Sequence, residues 1–201
     1  IVRAFGAALI LTPGPEGMAG AVAKAQDLAQ NSDYVFLTEQ FKNKANPDSH
    51  RNTTALEIWN DMDHKIDVIV IAVGTGGTIT GVGETLKQLE PKIRILAVEP
   101  QESPVLSGGK PAPHKLQGMG PGFIPKVLNT QIYQEIIQVA AEEAYATSRA
   151  LARQEGIFAG ISSGAVLAAA LKYARVTGKH ERIVAILPDT GERYLSTDLW
   201  L

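Results

Sequence analysis

No cysteine occurs among the 201 residues. That absence removes disulfides, thiolate nucleophiles and cysteine-based metal centres, while leaving the compartment open. No run of about 18 apolar residues is present, so nothing reads as a membrane-spanning helix. Neither sign of charge is in excess: 19 Lys and Arg stand against 21 Asp and Glu, a formal net charge of −2. A chain so balanced has no basic footprint for nucleic acid. The four histidines, at 50, 64, 114 and 180, are scattered without ligand spacing and read as structural or surface residues. Repeats and low-complexity tracts are missing as well. What remains, 45% hydrophobic and 20% charged, is a globular chain long enough for one large domain, or for one domain and part of another.

The most informative stretch is Asp67 to Leu89. An apolar, β-branched run from Val68 to Val73 reads as a buried strand. It breaks into Gly74-Thr75-Gly76-Gly77-Thr78 and then into a helical pattern with apolar Ile79, Val82 and Leu86. A strand that ends in glycines and opens a helix gathers unpaired N–H groups and the positive helix end at one point, which is a phosphate seat. Hydroxyls of Thr75 and Thr78 add donors. A nucleoside-triphosphatase loop needs Lys and then Ser or Thr after its last glycine, but Gly81 is followed by Val82. A dinucleotide loop needs glycine at its sixth place, which is Ile79 counted from Gly74. The turn suits one compact phosphate monoester. The plainer alternative is a turn rich in glycine only for close packing.

Strand and helix patterns alternate along the chain. Strands are expected at Ala7–Leu11, Tyr34–Leu37, Arg94–Val98, Glu135–Val139 and Ile183–Leu187. Helices are expected from Met18 to Gln30, after the polar loop Gln40–Ser49 through Trp59, from Ala141 to Gln154 with Gly156 as C-cap, and from Ser163 to Ala174. The opening residues read as the end of one element running into the strand at Ala7, so any targeting segment would precede Ile1. A long Pro- and Gly-rich loop spans Glu99 to Pro125. Such alternation predicts an α/β fold, a parallel sheet covered on both faces, with ligands at the carboxyl ends of its strands. The turns at Gly74–Thr78, Gly160–Gly164 and Pro188–Gly191 then converge on one crevice. Ser162 or Ser163 reads as the N-cap of the helix that follows Gly160.

Five motifs, GTGGTITG at 74–81, EQFKNKANP at 39–47, HKLQGMGPGFIP at 114–125, GISSGA at 160–165 and PDTGERYLST at 188–197, occur in one order. On them the chain resembles the cysteine synthase (O-acetylserine sulfhydrylase) family of fold-type II pyridoxal-phosphate enzymes, with cystathionine β-synthase and the serine and threonine dehydratases as relatives. The resemblance implies the parallel-sheet, three-layer sandwich of the tryptophan synthase β-like superfamily. Residues 1–44 would be the remainder of a mobile, incomplete N-terminal domain, and 45–201 the domain that holds the cofactor.

Carried over by residue, the resemblance implies that Gly74, Thr75, Gly76, Gly77 and Thr78 bind the phosphate of pyridoxal 5'-phosphate. It implies a hydrogen bond from Ser162 to the cofactor's ring nitrogen. Gln40 would lie beside the amino-acid substrate, with Gln117, Gly118, Met119 and Gly120 at the mouth of the site. A neutral hydroxyl at the ring nitrogen, beside a positive helix end, makes the cofactor a weak electron sink suited to β-elimination rather than racemisation or transamination. The implied reaction is O-acetyl-L-serine plus sulfide giving L-cysteine and acetate. The implied partners are a second copy of the chain and the C-terminal tail of serine acetyltransferase, and the implied compartment is the cytoplasm or an organelle.

Two family motifs do not occur, the Ser-Val-Lys-Asp-Arg-like segment with the Schiff-base lysine and the Thr-Ser-Gly-Asn-Thr-Gly loop for the substrate carboxylate. Both belong upstream of Ile1. Lys42, Lys44 and Lys115 lie in loops near the expected site but read as solvated surface, so no catalytic residue is assigned in this chain. A serine-directed dehydratase or cystathionine-forming activity, and a non-catalytic ligand-binding module, stand as rival readings.

Overall fold

A computed structural model describes residues 1–32 and 34–201. They form two compact units, Ile1–Glu39 and Gln40–Leu201. In the first, a 3-10 turn at Gly14–Glu16 leads into α1 (Gly17–Gln30), none of whose residues is buried. Asn31 closes α1 by donating its side-chain amide to the Asp27 carbonyl at 2.8 Å. The strands expected at Ala7–Leu11 and Tyr34–Leu37 do not form. Apolar and aromatic residues favour a strand only where a neighbour takes up the ladder hydrogen bonds. Here the backbone makes local turn bonds instead, Ala7 N–H to the Val2 carbonyl and Val35 N–H to the Ser32 carbonyl.

The second unit is built on β1 (Val68–Ala72), β2 (Arg94–Pro100), β3 (Glu135–Val139) and β4 (Ile183–Ala185). All pair in parallel, in the order β3-β2-β1-β4. Val68, Val70, Leu96 and Val98 pack with residues of α5 (Ala141–Glu155) and α6 (Ile161–Thr177). Ile69, Ile71, Ile95 and Ala97 pack with residues of α4 (Gly77–Leu89) and α3 (Thr54–Asp61). Burial on both faces explains why β1 reads as an unbroken apolar run. Each large side chain so buried stabilises the fold by about 1.5–3 kcal/mol.

Two glycines set the helix contacts. A Cβ on Gly81 of α4 would lie 2.2 Å from the Pro47 carbonyl oxygen of α2 (Ala45–Asn52). A Cβ on Gly164 of α6 would lie 2.2 Å from the Ala144 carbonyl oxygen of α5. The small residues after Gly160 thus serve helix–helix as well as helix–sheet packing.

Several boundaries depart from the sequence reading. The polar stretch read as loop up to Ser49 contains α2, whose Pro47 sits in the first turn where no N–H is needed. The helix expected to run through Trp59 is divided from α2 at Thr53, whose hydroxyl donates to the Ser49 carbonyl at 2.9 Å. β2 extends to Pro100, paired with Val139 on β3. β4, an edge strand paired only with β1, stops at Ala185. Among the described residues no helix is long and apolar enough to cross a membrane.

Candidate functional site

Strand order turns back between β1 and β4, since β2 and β3 extend the sheet to one side of β1 and β4 to the other. Where order reverses, the connections leave a crevice at the carboxyl ends of the strands. β1 enters it through the glycine turn. β4 enters it through the turn holding Asp189, to which the start of α6 is tied by Gly160 N–H donating to the Asp189 carbonyl at 3.0 Å.

Gly76 is the N-cap of α4 and takes φ 84°, a left-handed conformation suited to glycine. Each glycine of the turn also admits a protein neighbour. A Cβ on Gly74 would lie 2.6 Å from the Gly118 carbonyl oxygen, one on Gly76 2.7 Å from Leu128 Cβ, and one on Gly77 1.8 Å from Asn46 Oδ1. Close packing is therefore a role of these glycines in its own right. The Thr75 hydroxyl accepts from Gly77 N–H at 3.2 Å and from the Asn46 amide at 2.9 Å. That amide also donates to the Gln40 carbonyl at 2.8 Å, which brings Gln40 to the rim of the turn. The Thr78 hydroxyl meets His50 Nε2 at 3.1 Å, and His50 Nδ1 meets the Thr54 hydroxyl at 3.0 Å. Burial holds the His50 imidazole below its ordinary pKa. Among the described residues the N–H groups of Thr78 and Ile79 find no acceptor. Those donors, at the positive end of α4, make an anion seat.

Asp189 organises the other arm. The N-cap of α6 is Gly160, so Ser162 and Ser163 lie within the first helical turn rather than capping it as expected. Capping comes from Asp189, 26 positions away, which accepts Ser163 N–H at 2.9 Å and, through its other oxygen, Ser162 N–H at 3.1 Å. The Ser163 hydroxyl and the Tyr194 hydroxyl, the latter at 2.7 Å, also donate to the carboxylate. Burial pushes the Asp189 carboxyl up, but these hydroxyl and backbone donors outweigh it and hold the group below the usual carboxylate value. Burial and the adjacent carboxylate push Tyr194 upward in turn. The positive end of α6 is thus offset by a full negative charge, where the sequence had suggested an open dipole.

The two serines have different roles. Ser163 is fully buried and its hydroxyl is bound to Asp189. Ser162 is 3% exposed, and among the described residues its hydroxyl has no partner. A Cβ on Gly118, whose φ is 89°, would lie 3.5 Å from that hydroxyl. The lip carrying Gly118 is pinned at the end of β1 by Gly120 N–H donating to the Val73 carbonyl at 3.0 Å, and is braced within itself by His114 Nε2 donating to the Gly120 carbonyl at 2.8 Å. Met119 belongs to the core, 5% exposed, so it presents backbone and not side chain to the lip. Gln117 is exposed, as are Lys42, Lys44 and Lys115.

The glycine turn, the lip and Ser162 therefore meet at the carboxyl end of the sheet. Asn46, His50, Asp189 and Tyr194 join them. None of these four takes a site role from the sequence alone: His50 reads there as structural or surface, and Asn46, Asp189 and Tyr194 stand unassigned inside quoted motifs.

This constellation, on a parallel sheet between two helical layers, is that of a phosphate-holding α/β enzyme domain. The chain belongs to the pyridoxal-phosphate dependent enzyme family, whose sequence model matches residues 1–189. It is 52% identical over all of its 201 residues to a cysteine synthase of Staphylococcus aureus, of which it covers 64%. The crystal structure of a cysteine synthase from Entamoeba histolytica superposes with a TM-score of 0.92 at 45% identity, over 98% of this chain and 59% of that one. An O-acetylserine dependent cystathionine β-synthase from Helicobacter pylori gives a TM-score of 0.94 at 37% identity, over 99% of this chain and 65% of that one. The chain thus spans 59–65% of the length of these relatives. The family's cofactor is pyridoxal phosphate, and the donors present fit it: unpaired N–H groups at a helix start for the phosphate and the uncommitted hydroxyl of the largely buried Ser162 for the ring nitrogen.

Proposed function

We propose that the protein carrying this chain is a pyridoxal-phosphate dependent cysteine synthase, converting O-acetyl-L-serine and sulfide to L-cysteine and acetate. Gly74, Thr75, Gly76, Gly77 and Thr78 hold the cofactor phosphate, the backbone donating and the threonine hydroxyls keeping the turn in shape. Ser162 donates to the ring nitrogen. Supporting that choice over its neighbour, the Ser163 hydroxyl is occupied by Asp189 while the Ser162 hydroxyl is uncommitted. That contrast is the observation that carries the reading. Gln40 and the Gln117, Gly118, Met119 and Gly120 lip border the amino-acid substrate, the lip chiefly through its backbone.

When bound, the cofactor withdraws electrons from the substrate's α-carbon, which lets the acetate leave from the β-carbon. This chain's part is to anchor the phosphate, hold the ring through Ser162 and exclude water beneath the lip. In this reading the lysine that takes the α-proton comes from a Ser-Val-Lys-Asp-Arg-like segment, which the 201 residues do not contain. The 201 residues by themselves are then expected to bind pyridoxal phosphate reversibly and to form no cysteine, whereas a chain that includes the lysine segment forms it. Cysteine production by the 201 residues, or borohydride fixation of cofactor to Lys42, Lys44 or Lys115, overturns the reading.

A second reading is favoured by the likeness to the Helicobacter pylori O-acetylserine dependent cystathionine β-synthase, named for the same O-acetylserine but for cystathionine as product. Offering sulfide and a larger thiol in competition separates the two. The family likeness also supports a homodimer, a crevice that takes the C-terminal tail of serine acetyltransferase, and a cytoplasmic or organellar setting.

A further inference from the structure

The bound cap of α6 sits directly behind the hydroxyl assigned to the cofactor. Asp189 grips both N–H groups of the residue pair 162–163, at 3.1 and 2.9 Å, and is itself gripped by the hydroxyls of Ser163 and Tyr194. Gly160 is obligatory for this arrangement, since a Cβ there would lie 2.3 Å from the Tyr194 ring and 2.5 Å from Asp189 Oδ2. Gly160 also accepts from the buried Ser148 hydroxyl at 2.7 Å. Nothing in the sequence reading gave Asp189 or Tyr194 a role.

We propose that Asp189 is a positioning residue for the ring-nitrogen contact, acting through Ser162, with Tyr194 and Ser163 holding its carboxylate in place. Two effects follow from the geometry. Holding Ser162 N–H at 3.1 Å fixes the backbone from which the Ser162 hydroxyl projects. The carboxylate also cancels the partial positive charge at the start of a 17-residue helix. A ring nitrogen near that cancelled end stays electron-rich and accepts the Ser162 proton more strongly. Asp189 itself touches neither cofactor nor substrate in this assignment.

The inference rests on the Ser162 reading above, and one set of titrations separates the two. Pyridoxal phosphate and its 1-deaza analogue, in which C–H replaces the ring nitrogen, are titrated by absorbance and fluorescence against the wild-type chain and its Asp189→Asn, Ser162→Ala and doubly substituted forms. The wild type should prefer pyridoxal phosphate by about fivefold, the worth of one hydrogen bond. Asp189→Asn should reduce that preference to about twofold or less, while affinity for the analogue stays within about twofold. In the Ser162→Ala background the preference is gone and Asp189→Asn changes nothing further. Tyr194→Phe and Ser163→Ala, each of which removes one donor to the carboxylate, should move the preference part of the way. They carry the test should Asp189→Asn fail to fold. A wild-type preference that survives Asp189→Asn, or survives both smaller changes, overturns the inference alone. Equal loss of both ligands in Asp189→Asn reduces Asp189 to a structural cap and overturns it too. A wild type that binds both ligands equally overturns the Ser162 reading and the inference with it.

Discussion

Asn46 and Thr75 lie 29 positions apart and are joined by a 2.9 Å hydrogen bond from the Asn46 amide to the Thr75 hydroxyl. The same side chain fills the space that a Cβ on Gly77 would need. Asn46→Ala should therefore cost about 1 kcal/mol of stability and weaken cofactor binding several-fold. Gly77→Ala should cost more in the wild type than in the Asn46→Ala background, because the truncated side chain no longer collides. Urea denaturation of the four forms gives the coupling, and strictly additive losses would show that the two residues do not share this space.

Gly76 and Gly156 both adopt left-handed backbone, with φ 84° and 70°. A Cβ meets nothing within 4 Å at Gly156, but reaches Leu128 at Gly76. Alanine at 156 should cost about 1–2 kcal/mol from backbone conformation alone. At 76 the collision adds about 1–3 kcal/mol. A Cβ there is directed at Leu128, so Leu128→Ala should recover part of the loss without restoring the backbone term. Chemical denaturation checks the ranking, and equal losses at the two sites would sink it.

Asp189 bears on acid stability. Its carboxyl lies below the usual value in the folded chain, so an unfolded chain takes up that proton first as the pH falls. The stabilisation is present above about pH 4, the unfolded value, and is lost as the pH drops through the folded one. Asp189→Asn should be less stable than wild type near neutrality and show a shallower decline toward pH 3. Urea midpoints across that range test it. A decline as steep as that of the wild type would mean other carboxylates govern the acid limb.

His50 titrates in the opposite chemical sense but with the same sign in pH. Burial favours its neutral form, so stability is full above about pH 6.5 and is lost as the pH falls toward the lower folded pKa. The imidazole proton resonance of His50 should titrate below the free value, and His50→Gln should remove that contribution. A midpoint at or above the free value would exclude the buried, neutral imidazole that links Thr54 to Thr78.

The sheet and the glycine turn were legible because their signals are local. Val68 to Val73 is an unbroken β-branched run, and the glycines end it abruptly. Competing local chemistry blurred other boundaries: the Thr53 hydroxyl bonds back to Ser49, and a polar, Pro-containing stretch nevertheless winds into α2. The segments 7–11 and 34–37 have strand-like composition, but a strand also requires a ladder partner, which composition does not supply. Long-range capping was the hardest to read. Ser162 and Ser163 are chemically identical neighbours, and what separates them is a carboxylate 26 positions away. Glu99 has the same character, a carboxylate 2% exposed near the end of β2 that accepts Leu106 N–H at 2.7 Å and the Ser107 hydroxyl.

Gly74 and Gly118 touch so closely that only a hydrogen atom fits where a side chain would begin. The glycine turn and the lip consequently share one bearing surface, and neither can shift far without displacing the other. In the proposed function, a substrate that draws the lip toward Ser162 also presses on the turn assigned to the phosphate. Thermodynamic reciprocity then requires that whatever tightens the hold on the cofactor favours the drawn-in lip by an equal factor. Under the function proposed above, substrate capture and cofactor retention become two readings of a single equilibrium.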